Sequence, residues 1–177
     1  MGTVDIERLR SLISYDAETG KFTWRPRVET RGYERRFNRE KAGQFAGDIT
    51  NKGYVRVKIE GVTYSGHRLA WMLHYGEEPE KDIDHINRKR DDNRISNLRL
   101  ATPTLNGGNQ SISSNNTSGA KGVYFVKKTG RWRARIFFGD GSISLGTYAD
   151  RESAKDAYMK GAANLFGEYA TGGEKAA

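Results

Sequence analysis

The sequence predicts an α+β protein, in which small antiparallel sheets stand beside separate helices. Residues 53–59 alternate apolar with polar or charged side chains at a period of two, as a half-buried strand does. Residues 151–165 instead place their apolar side chains on one helical face. A polar stretch at 109–119, with Ile112 as its one apolar residue, separates two such groups of elements. The 177 residues leave room for one compact domain or two small ones, and the polar stretch favours two.

The first elements of the chain are a predicted amphipathic helix and a predicted hairpin. The helix spans 4–14, where Val4 begins an apolar stripe of helical period. The hairpin spans 15–24 and contains Gly20 at the turn position that most needs a positive φ. Residues 25–42 are rich in Arg and Glu and low in periodicity, so a loop is expected there.

A β-meander and a second helix are expected next. The three strands of the meander are predicted at 42–49, 53–59 and 62–65. Turns between them are predicted at 51–53 and 60–61, each of which contains a glycine. The helix is predicted at 67–75 and ends at Gly76.

The second half predicts a sheet of three strands with one helix. The strands are expected at 122–127, 131–137 and 142–145. The helix follows at 151–165, with Asp150 as its N-cap. The predicted domain division is a first domain at 1–110, a linker at 111–119, a second domain at 120–170 and a tail at 171–177.

Charge and composition exclude several classes of protein. The chain has 30 Lys and Arg against 22 Asp and Glu, which gives a net charge of +8. Residues 1–114 and 115–177 each contribute half of this charge, so an anionic partner such as nucleic acid is expected. Without cysteine there is no disulfide framework, thiol nucleophile or Cys-ligated zinc. No apolar run approaches a membrane span, and the first ten residues lack a signal-peptide core, so a cytoplasmic protein without a membrane partner is expected.

The residues from 82 to 106 contain side chains that suit phosphodiester hydrolysis. The carboxylate of Asp84 adjoins the imidazole of His85, and Asn97 and Asn106 follow. Oxygen donors of Asp and Asn suit a hard Mg²⁺ or Mn²⁺ ion. A neutral His is a competent general base near pH 7. The alternative is a chance Asp-His pair, with loop Asn residues that form turns and caps.

The spacing of these residues resembles the HNH endonucleases, and in particular their homing-type branch in phages and introns. The matching motifs are Gly66-His-Arg-Leu-Ala-Trp71, Ile83-Asp-His-Ile86, Asp92-Asn-Arg-Ile-Ser-Asn-Leu-Arg-Leu100 and Thr104-Leu-Asn106 with Asn109. The resemblance implies a ββα-metal core, two strands and a helix around one divalent ion, preceded here by the helix and the meander. By position, Asp84 and Asn106 resemble the metal ligands and His85 the general base. Asn97 resembles the central Asn, which holds the loop and orients the base.

Two departures from the family pattern bear on this core. Asn106 stands where the family name has its final His, as is common in the homing branch. Gly107 and Gly108 follow it and weaken the helix of the ββα-metal core, which is predicted at 102–110. Because the chain has no cysteine, the zinc-stapled variants of the fold are excluded and no zinc is expected.

Basic residues around this core are candidates for gripping DNA phosphates. They are Arg68, Arg88, Lys89, Arg90 and Arg94. The alternative is an ordinary solvated surface, because such clusters are often only that.

The second half offers a basic sheet face and is similar to the AP2 DNA-binding domain. Its matching phrases are Lys121-Gly-Val123, Gly130-Arg-Trp-Arg-Ala-Arg-Ile136, Leu145-Gly-Thr-Tyr148, Glu152-Ser-Ala-Lys-Asp-Ala-Tyr158 and Phe166-Gly-Glu-Tyr-Ala170. Strand alternation directs one set of side chains towards the helix: Val123, Phe125, Trp132, Ala134, Ile136, Ile143 and Leu145. The opposite, DNA-facing set includes Tyr124, Lys128, Arg131, Arg133, Arg135 and Phe137. Ser142 and Ser144 stand where the resemblance implies readers on the third strand.

Together these patterns predict a metal-dependent, homing-type HNH endonuclease that hydrolyses double-stranded DNA and carries a C-terminal AP2-like domain. A phage protein of this kind would act in the bacterial cytoplasm, and no obligate protein partner is inferred. The alternative is a non-catalytic, sequence-specific DNA-binding protein with a degenerate finger, against which the intact Asp84, His85, Asn97 and Asn106 argue. An RNA-binding protein is less favoured, because the Arg-rich sheet lacks the stacked aromatics of RNA platforms.

Overall fold

A computed structural model describes residues 5–29 and 31–171. Val4 and residues 172–177 of the predicted tail lie outside this part of the chain. The contacts divide the protein into two compact units, Met1–Leu100 and Ala101–Ala177. Within the described residues, no helix combines the length and the apolar character that crossing a membrane requires.

The first unit begins with the predicted helix and hairpin. Helix α1 spans Ile6–Leu12 and is capped by Asp5, whose carboxylate accepts from the Arg8 amide at 2.9 Å. Strands β1 (Ile13–Asp16) and β2 (Lys21–Trp24) pair antiparallel. Both predictions are confirmed, and Gly20 between the strands has a φ of +72°.

The prediction of a loop over 25–42 is wrong, because helix α2 occupies Gly32–Glu40. None of its residues is buried, so an apolar stripe of the usual kind is missing from the sequence. The helix is stabilised by local charge pairs such as Arg36 with Glu40, one turn apart, whose Nε–Oε1 distance is 3.1 Å. Phe37 anchors it by an edge-on contact with Trp24, with ring centroids 5.7 Å apart.

The meander is present with a shorter first strand than predicted. Its strands are β3 (Asp48–Ile49), β4 (Val55–Ile59) and β5 (Val62–Ser65), paired in that order. The predicted alternation is confirmed on β4, where Val55, Val57 and Ile59 are buried and Arg56 and Lys58 are exposed. Helix α3 (Gly66–Tyr75) ends at Gly76 in the left-handed conformation, as predicted.

A two-stranded sheet and a short helix follow. Strand β6 (Asp82–His85) pairs with β7 (Leu98–Ala101), and a single 3₁₀ turn at Ile95–Asn97 precedes β7. Helix α4 spans Pro103–Asn109, and its N-cap Thr102 accepts from the Leu105 amide at 3.3 Å. The predicted order of strand, strand and helix is therefore present in the structure.

The second unit is a three-stranded sheet packed on one helix. Strands β8 (Val123–Val126), β9 (Arg131–Phe138) and β10 (Gly141–Tyr148) form a sheet in the order β10-β9-β8. Helix α5 (Arg151–Phe166) is capped by Asp150, as predicted. Its buried side chains pack in one cluster with those of the sheet: Val123, Ala134, Ile136, Ala154, Tyr158, Ala162 and Phe166.

Two side chains assigned to the inner face of this sheet are not covered. Phe125 is 48% exposed and Ile143 is 41% exposed. Both lie on edge strands, β8 and β10, whereas Ala134 and Ile136 on the central strand β9 are buried. The alternation assigns the face correctly, but coverage by the helix decreases towards the edges of the sheet.

Helix α4 belongs to the second unit by its contacts. Leu105 packs against the apolar cluster of that unit. The Nζ atom of Lys121 donates to the carbonyl oxygens of Gly107, Gly108 and Gln110 at 3.1, 2.8 and 2.7 Å. These contacts put the boundary between the units at residue 100, before the predicted linker at 111–119.

Candidate active site

Asp84 and His85 are both buried at the end of strand β6, with exposed fractions of 4% and 5%. The Oδ2 atom of Asp84 accepts from Nε and Nη2 of Arg99 at 3.0 and 2.9 Å. Arg99 lies on the paired strand β7, so the sheet itself brings the two charges together. The positive charge of Arg99 offsets the cost of burying the carboxylate. Arg99 is not among the predicted site residues.

The imidazole of His85 is held by a second side chain that is not among the predicted site residues. Its Nε2 atom lies 3.3 Å from Oδ1 of Asn93, which is 1% exposed. Burial lowers the pKa of His85, although the bond to Asn93 acts in the opposite direction. His85 is therefore neutral at pH 7, the state that a general base requires.

Asn93 is fixed in place from several directions. Its carbonyl oxygen accepts from the Tyr15 hydroxyl at 2.7 Å. Gly20 permits the hairpin to approach, because a Cβ atom there would lie 2.5 Å from the Arg94 nitrogen. The N-terminal hairpin thus supports the segment that positions His85.

Asn97 is buried and holds the loop between β6 and β7. Its Oδ1 atom accepts from the Asn87 amide at 2.9 Å, and its Nδ2 atom donates to the Asp92 carbonyl at 2.8 Å. The Asn97 carbonyl also accepts from the Ile86 amide at 2.9 Å. These bonds fix both ends of the loop, and a direct role of Asn97 in catalysis stays a prediction.

His67, on helix α3, lies beside His85. Their ring centroids are 5.3 Å apart, with the rings edge to face. Tyr54 lies 5.6 Å from His67 and 6.0 Å from His85. Burial lowers the pKa of His67 to about 4, helped by the nearby His85. Within the described residues its Nδ1 atom is buried without a hydrogen-bond partner. The sequence signal for this contact is the phrase Gly66-His-Arg-Leu-Ala-Trp71.

The predicted phosphate-gripping residues lie in different surroundings. Arg94 forms two bonds to Asp92, Nε–Oδ1 at 2.8 Å and Nη2–Oδ2 at 2.6 Å, and these bonds lower the Asp92 pKa to about 2. Lys89 and Arg90 are exposed. The remaining two, Arg68 and Arg88, are half-buried. Contact with DNA stays a prediction for all five.

Asn106, the second predicted metal ligand, lies on helix α4 and is half-buried. Its role as a ligand stays a prediction. Within the described residues, no cluster of three or more His, Cys, Asp or Glu side chains could enclose a metal ion. One carboxylate with amide oxygens fits a hard cation that keeps waters and takes substrate phosphates as its other ligands.

The outer face of the second unit's sheet carries the predicted DNA-facing residues. Tyr124 lies opposite Arg133 in the register, and the Arg135 guanidinium lies over the Tyr124 ring at 5.9 Å. Lys128 and Arg131 are exposed. Phe137, on the same face, is 73% exposed. The structure brings a basic and aromatic surface together here, and its binding to DNA stays a prediction.

Comparison with known proteins identifies relatives of this chain. Residues 64–107 match the family model described as HNH endonuclease. An uncharacterised HNH endonuclease of Acanthamoeba polyphaga mimivirus is 34% identical over 106 residues, which are 59% of this chain and 54% of that protein. Protein 3.8 of Escherichia phage T7 is 39% identical over 71 residues, 40% of this chain and 59% of that protein.

Among solved structures, one is entitled "DNA binding and cleavage by the HNH homing endonuclease I-HmuI". Its match covers 60% of this chain and 55% of the solved chain, with 24% sequence identity and a TM-score of 0.40. The chain thus spans little more than half the length of the relatives that it matches. The segment 64–107 contains Asp84, His85, Asn97 and Asn106. This segment of the chain is therefore similar to the HNH endonucleases.

Proposed function

We propose that this protein is a metal-dependent, homing-type endonuclease that hydrolyses phosphodiester bonds in double-stranded DNA, inside a bacterial host if a phage encodes it. One observation carries the proposal: a buried, neutral His85 is oriented by Asn93 and adjoins Asp84, within a segment that matches the HNH endonuclease model. The carboxylate can hold a cation, and the oriented neutral imidazole beside it can activate a water molecule at the adjacent position.

His85 is the general base of this proposal. With Oδ1 of Asn93 accepting, the Nε2 atom carries the proton and Nδ1 has the lone pair. The Nδ1 atom would take a proton from the attacking water, and the imidazolium so formed keeps its bond to Asn93. Asn97 supports this step from a distance, because it fixes the loop that leads from His85 to Asn93.

Asp84 and Asn106 are the residues that would hold the divalent ion, Mg²⁺ or Mn²⁺. When bound, such an ion supplies positive charge that stabilises the phosphorane-like transition state and the leaving 3′ oxygen. Arg99 pairs with the Asp84 carboxylate and fixes its orientation through Oδ2.

DNA contact is proposed on both units. In the first unit, Arg68, Arg88, Lys89, Arg90 and Arg94 are candidates for the phosphates near the cut. In the second, an AP2-like sheet face would bind duplex DNA. Its candidates are Tyr124, Lys128, Arg131, Arg133 and Arg135. The exposed basic and aromatic side chains on that face support this assignment.

Nicking of supercoiled plasmid DNA tests the proposal. We expect nicking in Mg²⁺ or Mn²⁺, its loss in excess chelator, and a loss of at least about a hundredfold in His85→Ala, the scale of general-base catalysis. His74→Ala is the matched control, because His74 is exposed at the end of α3. Duplex binding without cleavage in either ion would favour the alternative, a non-catalytic DNA-binding protein.

A further inference from the structure

We infer that a cavity beside His85, walled by the meander and the start of helix α3, is a subsite for one sugar–phosphate unit of the DNA strand. The subsite holds the unit next to the scissile phosphate and reads no base. The inference rests on the proposed endonuclease function and adds a binding site to it.

The cavity has a volume of about 390 Å³ and is open to solvent on one side. That size is at the lower end of the range for ligand pockets, roughly 300–1,000 Å³. Its walls come from residues 50–52, from strands β4 and β5, and from His67 at the start of helix α3. A phosphate with its deoxyribose fits in this space.

The position of His67 places the cavity next to the proposed general base. His67 lines the cavity and contacts the His85 ring edge to face at 5.3 Å. Tyr54 lines it as well and lies 6.0 Å from His85. A strand whose scissile phosphate is at His85 therefore has its neighbouring backbone unit within reach of this cavity.

The polar wall has the chemistry of a phosphate site. Thr50, Thr63 and Ser65 supply hydroxyl groups, and Lys52 and Arg56 supply positive charge. Hydroxyls with Lys and Arg are the usual partners of backbone phosphates in protein–DNA complexes.

The two cations of this wall differ in how far they are neutralised. Arg56 is paired with Asp48, with an Nε–Oδ2 distance of 2.8 Å. Lys52 forms no ion pair with any residue that the structure describes. Its carbonyl oxygen accepts from Nη1 of Arg90 at 3.0 Å, and the Arg90 guanidinium lies over the Tyr54 ring. Lys52 therefore brings the net positive charge of the wall, and the Arg90 guanidinium contacts two of the lining residues.

The apolar wall suits the deoxyribose. Tyr54 and Val55 line the cavity, and Tyr54 offers an aromatic ring. A sugar packed on an aromatic face makes contacts that do not depend on the base attached to it. The subsite therefore contributes affinity and register along the strand but no sequence preference.

Duplex binding in excess chelator tests the subsite without any chemistry. Fluorescence anisotropy with a labelled plasmid-derived duplex measures the slope of log affinity against log salt for the wild type, Lys52→Ala and Lys58→Ala. Loss of one phosphate contact lowers this slope by about 0.9. We expect that decrease, with weaker binding, in Lys52→Ala and no change in Lys58→Ala, which removes the same charge from strand β4 outside the cavity. An unchanged slope in Lys52→Ala overturns the inference.

A second experiment tests whether the cavity binds the sugar as well as the phosphate. Titration of the ¹⁵N-labelled full chain with 2-deoxyribose 5-phosphate should shift the amide signals of Thr63 and His67, and inorganic phosphate alone should shift them less. Tyr54→Phe should keep the response and Tyr54→Leu should lose it, with a thermal melt of each variant to verify folding. Equal responses to inorganic phosphate and to the sugar phosphate overturn the sugar contact. If nicking fails while both experiments succeed, the proposed hydrolysis is refuted and the subsite remains.

Discussion

Replacement of Asn93 by Ala tests the orientation of His85. The variant removes the Oδ1 atom that lies 3.3 Å from Nε2 of His85, and with it this buried hydrogen bond. An unmade buried hydrogen bond costs about 1–3 kcal/mol. If that cost falls on the reactive orientation and tautomer of His85, the rate of nicking decreases by about 5- to 150-fold, at about 1.4 kcal/mol for each factor of ten.

The assay is the initial rate of plasmid nicking at saturating DNA, with the melting temperature measured in parallel. Asn93→Asp is the companion variant. A carboxylate at Oδ1 holds the imidazolium more strongly and raises the His85 pKa, so the acid limb of the rate–pH profile moves to higher pH. A folded Asn93→Ala protein that nicks within twofold of the wild-type rate would refute the reasoning about His85.

Three further predictions concern stability. Arg99→Leu should lower the free energy of unfolding by about 3–5 kcal/mol in urea titration, because it removes the positive charge that is paired with the buried Asp84 carboxylate. The double variant Arg99→Leu with Asp84→Asn should recover part of that loss. Gly20→Ala should destabilise more than Gly130→Ala, since both have positive φ but only at Gly20 does a Cβ atom meet backbone, 2.5 Å from the Arg94 nitrogen; equal melting temperatures would contradict this. His67 has a pKa near 4 when folded and 6.5 when unfolded, so the unfolded state binds the extra proton. The free energy of unfolding therefore falls as the pH drops from 6.5 to 4, by up to about 3 kcal/mol, and this effect is absent above pH 6.5. In His67→Phe the melting temperature should fall less over that range of pH.

Sequence patterns predicted the elements that depend on local chemistry. The alternation at β4 and the end of α3 at Gly76 each have a physical cause within a few residues. Helix α2 was not predicted, because it is stabilised by charge pairs and one aromatic contact with Trp24. None of its residues is buried, so the usual apolar pattern of a helix was not available.

The candidate site was predicted in its main residues but not in its supports. Asp84 and His85 are neighbours in sequence, so a motif could identify them. Asn93 and Arg99 reach them only through the pairing of β6 with β7 and the path of the loop between them. Tyr54 comes from the meander, some thirty residues earlier, and no spacing rule within the motif includes it.

The three carbonyl bonds of Lys121 have a consequence for any attempt to divide this protein. A shortened chain that stopped at residue 114, inside the polar stretch, would lack the ammonium group that closes the end of α4. It would also lack the apolar cluster against which Leu105 packs. The helix that carries Asn106 would then fray, since a seven-residue helix is not stable alone. Loss of cleavage in such a fragment would report a melted helix rather than a missing DNA contact.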